Sequence, residues 1–153
     1  MALHRDAAGI EGMPLQLLIV AIVAGITVPV VYAGLDAYDR GQVETRVRGE
    51  AFRLTRVAQQ YSVAGGGAET LQVDLRGGAF VPLLYLRIGD HGGGPYANVV
   101  RYRIGGEDER FVLAEHPTVL MAGTDGETLA LGPGTYAIHL EVVDDRVVVS
   151  VSR

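Results

Sequence analysis

LQLLIVAIVAGITVPVVYAGL, residues Leu15–Leu35, runs for 21 residues without a charged side chain, and only Gln16 and Thr27 are clearly polar. As an α-helix it would span about 32 Å, enough for a bilayer hydrocarbon core of about 30 Å. A buried core helix is rarely this long and apolar on every side, least of all in a chain of 153 residues. A cleaved secretory signal has a shorter apolar stretch, about 7–15 residues, followed by a small-x-small site. Here Tyr32–Leu35 leads straight into more helix-compatible sequence. The stretch therefore predicts a membrane-inserted helix, with Pro29 expected to bend it by removing an i→i−4 hydrogen bond. Leu15, Leu18 and Ile22 supply packing surface, and Gly25 and Gly34 would let a neighbouring helix approach closely.

Working outward toward the C-terminus, residues 36–61 contain no proline and change character. Val43, Val47, Ala51, Leu54, Val57, Ala58 and Tyr61 recur at steps of three or four, forming one apolar stripe, while Asp39, Arg40, Glu44, Arg46, Arg48, Arg53 and Arg56 take other faces. Glu44 and Arg48 stand in the favourable i,i+4 order. The helix is thus expected to leave the apolar phase and become amphipathic, with Val47, Leu54, Val57 and Tyr61 packing against a domain or a partner. Unbroken from Pro14 to Tyr61 it would be roughly 70 Å long. Gly25, Gly34, Gly41 and Gly49 each weaken it locally by up to about 1 kcal/mol.

Gly65–Gly67 ends the helical pattern. From there short alternating segments follow one another: Leu71/Val73/Leu75, Leu84/Leu86/Ile88, Val100/Tyr102/Ile104, Phe111/Leu113, Leu129/Leu131, Tyr136/Ile138/Leu140/Val142 and Val147/Val149/Val151. Glycine-rich or Asp-rich breaks separate them at the spacing of an all-β sandwich or barrel, and Val143–Arg146 reads as a tight hairpin turn. The expected fold class is α+β: residues 1–14 a polar leader and processing region, 15–61 one long helix (15–35 apolar, 36–61 amphipathic), and 62–153 a β-rich head.

Composition narrows the chemistry. The net charge is −5, and residues 62–153 carry seven Arg against twelve Asp and Glu, so nothing points to nucleic acid. Without cysteine there is no disulfide, catalytic thiol or Cys-ligated metal. His4, His91, His116 and His139 show no metal-ligand spacing. His139 and Glu141 would share a strand face but lack a third ligand, and a solvated face explains them better. Gly132-Pro-Gly134-Thr-Tyr-Ala137 matches a dinucleotide fingerprint in letters only, because it precedes a strand rather than opening a helix. No serine sits in a nucleophile context. The expectation is a non-enzymatic chain without cofactor or small-molecule substrate.

Upstream of the apolar run, His4-Arg5-Asp6-Ala7-Ala8-Gly9-Ile10-Glu11-Gly12-Met13-Pro14-Leu15 places one carboxylate, Glu11, at its edge. By itself this suits an interfacial side chain at a helix start. In combination, the basic leader, Glu11, the long apolar helix and the β-rich head resemble archaeal type IV pilins and related prepilin-like proteins. Their pattern Q-x-S-x-E-x-x-x-L overlays Ala7 to Leu15: Glu11 and Leu15 match, whereas Ala7 and Gly9 replace Gln and Ser. The resemblance implies a homopolymeric extracellular filament for adhesion or motility, held in the membrane before assembly and processed by a prepilin peptidase. Cleavage between Asp6 and Ala7 would make Glu11 the fifth residue; cleavage between Gly9 and Ile10 would make it the second. The resemblance further implies that Glu11 pairs with a neighbour's new N-terminal amine and sets subunit register. A minor pilin, or a non-polymerising membrane-anchored binding module or sensor, shares the same layout, and the second of these gives Glu11 no role.

Overall fold

The computed structural model describes the backbone of residues 7–152 and the side-chain surroundings of residues 14–151 apart from residue 92. One helix, α1 (Ala7–Ala64), continues through Pro14 and Pro29 and is followed by eight strands. These are β1 (Ala68–Asp74), β2 (Leu83–Ile88), β3 (Val99–Ile104), β4 (Arg110–Leu113), β5 (Leu120–Gly123), β6 (Leu129–Leu131), β7 (Thr135–Val143) and β8 (Arg146–Ser152), with a 3-10 turn at His91–Gly93. They form two four-stranded sheets, ordered β1-β7-β8-β5 and β4-β3-β2-β6. The architecture is a long N-terminal helix followed by an all-β head.

The chain divides into two compact units between Tyr38 and Asp39. The second unit therefore begins inside α1, well before Ser62, and the reason is the apolar stripe. Val43, Val47, Ala51, Leu54 and Ala58 are each at most 1% exposed and belong to the same core cluster as Leu71, Leu86, Tyr102, Ile138 and Val149 from the two sheets. The flanks of this stripe reach opposite sheet edges. Arg53 donates to the Gln72 carbonyl of β1 at 3.1 Å, while Glu44 pairs with Arg110 of β4 at 3.0 Å. The C-terminal half of α1 thus packs its stripe into the core shared by the two sheets, with flanking side chains that reach edge strands β1 and β4.

Ladder register explains where the head departs from simple alternation. β2 carries a bulge between Leu83 and Tyr85, so Leu83 (1% exposed) enters the core and Leu84 (44%) points outward, the reverse of the expected phase. In β4 the apolar run Phe111-Val112-Leu113 fits either phase. Pairing of Val112 with Val100, a core residue, turns Val112 inward and leaves Phe111 and Leu113 about half exposed. β5 was not anticipated: Leu120–Gly123 is short and lacks alternation, and it gains its place by parallel pairing with β8. The β7–β8 hairpin turns at Asp144 and Asp145, both at positive φ (48° and 60°), as a two-residue primed turn requires.

Candidate assembly surface

From Pro14 to Leu35 every side chain of α1 is exposed. Leu15 (60%), Leu18 (56%) and Ile22 (53%) are no more covered than Val20 (63%) or Val30 (66%) on other faces. Gly25 and Gly34 have no atom within 4 Å of where a Cβ would stand, and Pro29 lies exposed between them. The helix is long and apolar enough to cross a membrane, with mean hydropathy 2.4 in its best window and none of that window buried within the chain. A core helix of a soluble protein would be mostly covered. An exposed apolar surface of this length is compatible with membrane association.

Asp6 lies outside the described residues, as do the side chains of Ala7, Gly9, Ile10 and Glu11; of these, Ala7 to Glu11 belong to the helical backbone of α1. Val47 (0%) and Leu54 (1%) are buried in the head core, and Val57 is partly buried against it. Tyr61 is half-buried; the Glu69 carboxylate beside it, and then burial, push its phenol upward.

Where α1 joins the head, the structure places a contact the sequence did not suggest. The Asp39 carboxylate accepts backbone hydrogen bonds from Ala79 (3.2 Å), Phe80 (2.7 Å) and Val81 (2.9 Å). These bonds, led by Phe80 and Val81, hold its pKa below the ordinary carboxylate value. Gly78 is required here, because a Cβ would collide with the Asp39 carboxyl group. At the next residue Arg40 pairs with Glu107 at 2.9 Å, Glu107 with Arg110 at 3.1 Å, and Arg110 with Glu44, about a helical turn further along α1, at 3.0 Å. Hydrogen bonds from Arg40 and then Arg110 lower the Glu107 pKa. The only sequence signal for this collar is a cluster of charges directly after the apolar run. Its partners stand 40 to 67 residues away.

Among the described residues no group of three or more His, Asp or Glu is arranged to hold a metal. His139 Nδ1 lies 3.0 Å from Thr70 Oγ1 across the β1–β7 pair. A shallow hollow of about 430 Å³ beside β5 and β8, lined by Thr124, Val143, Asp144 and Arg146, is open and holds no convergent titratable set. No protein-family model matches this chain, and no curated protein or solved structure does either.

Proposed function

We propose that this chain is the structural subunit of an archaeal type IV pilus-like filament, polymerising through the apolar half of α1. The observation that carries the reading is an uncharged helical surface, exposed on all sides, that continues as one helix into the core of the β head. Before assembly that surface sits in lipid with the head outside. On assembly the helices exchange lipid for one another and form the filament core, with heads on its surface. Lipid tails are as apolar as leucine, so the exchange gains mainly from packing, and Gly25 and Gly34 allow close backbone approach. A prepilin peptidase would expose the N-terminal amine that Glu11 of another subunit meets.

The test is Glu11→Gln, which keeps shape and removes charge. An unpaired carboxylate among apolar helices is costly, so the filament reading needs a cationic partner for it. The variant is expected to insert and fold normally while filament yield falls sharply, with Glu11→Asp intermediate. Normal filament numbers would remove Glu11 from the mechanism, and absence of filaments from the wild type would favour a non-polymerising anchored module.

A further inference from the structure

On the outer face of the second sheet two arginines, Arg87 and Arg101, have no ion-pair partner among the described residues; beside them Arg103 donates to the Glu107 carbonyl at 2.9 Å, and the Tyr85 hydroxyl donates to the Glu109 carboxylate at 3.0 Å. Arg87 of β2 and Arg101 of β3 are direct register partners, so both leave the same face of adjacent strands, and Arg103 follows two residues along β3. Like charges opposite one another across a strand pair repel. Elsewhere in the head arginines meet carboxylates, as Arg76 does Asp74 and Arg110 does Glu107. Among the described residues no carboxylate lies within salt-bridge distance of Arg87 or Arg101, in a head where acidic residues outnumber arginines twelve to seven.

These arginines are held in place by rings. The Arg87 guanidinium lies 4.3 Å from the Tyr85 ring centroid and that of Arg101 4.4 Å from Tyr96. Tyr96 in turn stacks on Phe111, the β4 register partner of Arg101, at 6.2 Å and 15°. Arg101 is only 9% exposed, and its Nε is enclosed with no hydrogen-bond partner. A ring face attracts a guanidinium but satisfies none of its in-plane N–H donors. The Nε is closed off by the protein itself, and the terminal N–H donors of Arg101, for which no hydrogen bond is found among the described residues, are the part of the fork that a planar anion such as a carboxylate can engage. Tyr96 (40% exposed) and Phe111 (48%) present flat apolar surface directly beside the charges. A bare inorganic anion would leave that surface unused.

We infer that the Arg87–Arg101–Arg103 face binds an acidic polysaccharide, with guanidinium groups on the carboxylates of uronate-type sugar units and Tyr96 and Phe111 against the sugar rings. The net charge of −5 suits a short contact of this kind better than a long polyanion track. The inference goes beyond filament assembly and stands whether or not the chain polymerises.

The test is calorimetric titration of the full-length protein in non-ionic detergent with an oligogalacturonate of defined length. Expected are saturable binding that weakens with added salt, and no binding of the methyl-esterified, uncharged oligomer. Arg87→Gln and Arg101→Gln should each weaken binding at least tenfold, and Tyr96→Ala should weaken it as well. Arg87 is only half-buried, so an unchanged melting temperature in its variant separates loss of binding from loss of fold. The inference is overturned if the acidic oligomer does not bind, if its methyl ester binds equally, or if Arg87→Gln binds like the wild type. Tighter binding of a single-stranded DNA oligomer overturns it in favour of base stacking. Displacement of the oligomer by equimolar inorganic phosphate reduces the face to a simple anion site. Self-association that Arg87→Gln abolishes assigns the face to a second copy of the chain instead.

Discussion

The backbone N–H of Phe80 donates a 2.7 Å hydrogen bond to the carboxylate of Asp39, and so ties the loop before β2 to the point where α1 enters the head. Asp39 is the first residue of the second compact unit, and its bonds to Ala79, Phe80 and Val81 close around the glycine at position 78.

That tie makes stability sensitive to acid. Asp39 and Glu107 have lowered pKa values, and Arg76 beside Asp74 brings its carboxyl down to about 2. A depressed folded pKa means the unfolded chain takes up protons first. The contribution is complete above the ordinary carboxylate range of about 4 and is lost as pH falls through the folded values. The head should therefore hold its melting temperature down to about pH 4.5 and lose it progressively toward pH 2. Asp39→Asn, which keeps one oxygen acceptor but no charge, should melt lower at neutral pH and show a shallower acid slope. Melting curves of both proteins across that range check the point.

The head should not fold without its helix half. A fragment spanning 39–153 is expected to be monomeric, detergent-free and cooperatively folded, because it keeps Val43, Val47, Ala51, Leu54 and Ala58 in the core. A fragment spanning 62–153 lacks these side chains and exposes the surfaces they cover, so it should aggregate or melt without cooperativity. Gel filtration and circular dichroism distinguish the two, and a well-folded 62–153 fragment would contradict the shared core.

Leu54, 1% exposed, is a central member of that core. Leu54→Ala should cost about 2–5 kcal/mol through lost contacts and the cavity left behind. Leu54→Asp should cost more, since it places an unpartnered charge where a side chain was packed. Denaturant titration of the 39–153 fragment reads both, and equal stability in either variant would place Leu54 outside the core.

Gly89 tests the link between the sheets. It adopts φ +70°, and a Cβ there would run into the backbone carbonyl of Met121 on β5. Gly89→Ala should therefore destabilise the head by more than about 1 kcal/mol, because strain at positive φ and a clash with backbone act together. Gly106, with open space around it, serves as the control, where Ala should change little.

Much of this architecture is legible in the sequence because two periodicities are clean. Residues 15–35 carry no charge at all, and Val43 to Ala58 keep helical spacing, so the helix and its change of character follow directly. The outward direction of Arg87, Arg101 and Arg103 follows from alternation with Leu86, Tyr102 and Ile104. Phase is lost where apolar residues are consecutive, as at Leu83-Leu84 and Phe111-Val112-Leu113, since only the ladder partner decides which one faces inward. The short β5 is invisible for a related reason: its parallel pairing with β8 joins Leu120 to Arg146 across the whole of β6 and β7, which lie in different sheets. The Asp39 tie has no local signature either, because an acceptor carboxylate looks like any solvated one until the chain brings the N–H groups of 79–81 to it.

The central claim is that the apolar half of α1 leaves the membrane to become a filament core. The most direct measurement shears cells, pellets the released material without detergent, and determines the mass and N-terminus of this chain in it. The account predicts pelletable filaments containing the chain, beginning at Ala7 or Ile10 and carrying the complete apolar segment. Chain that stays with the membrane, begins at Met1 and is released only by detergent would contradict it.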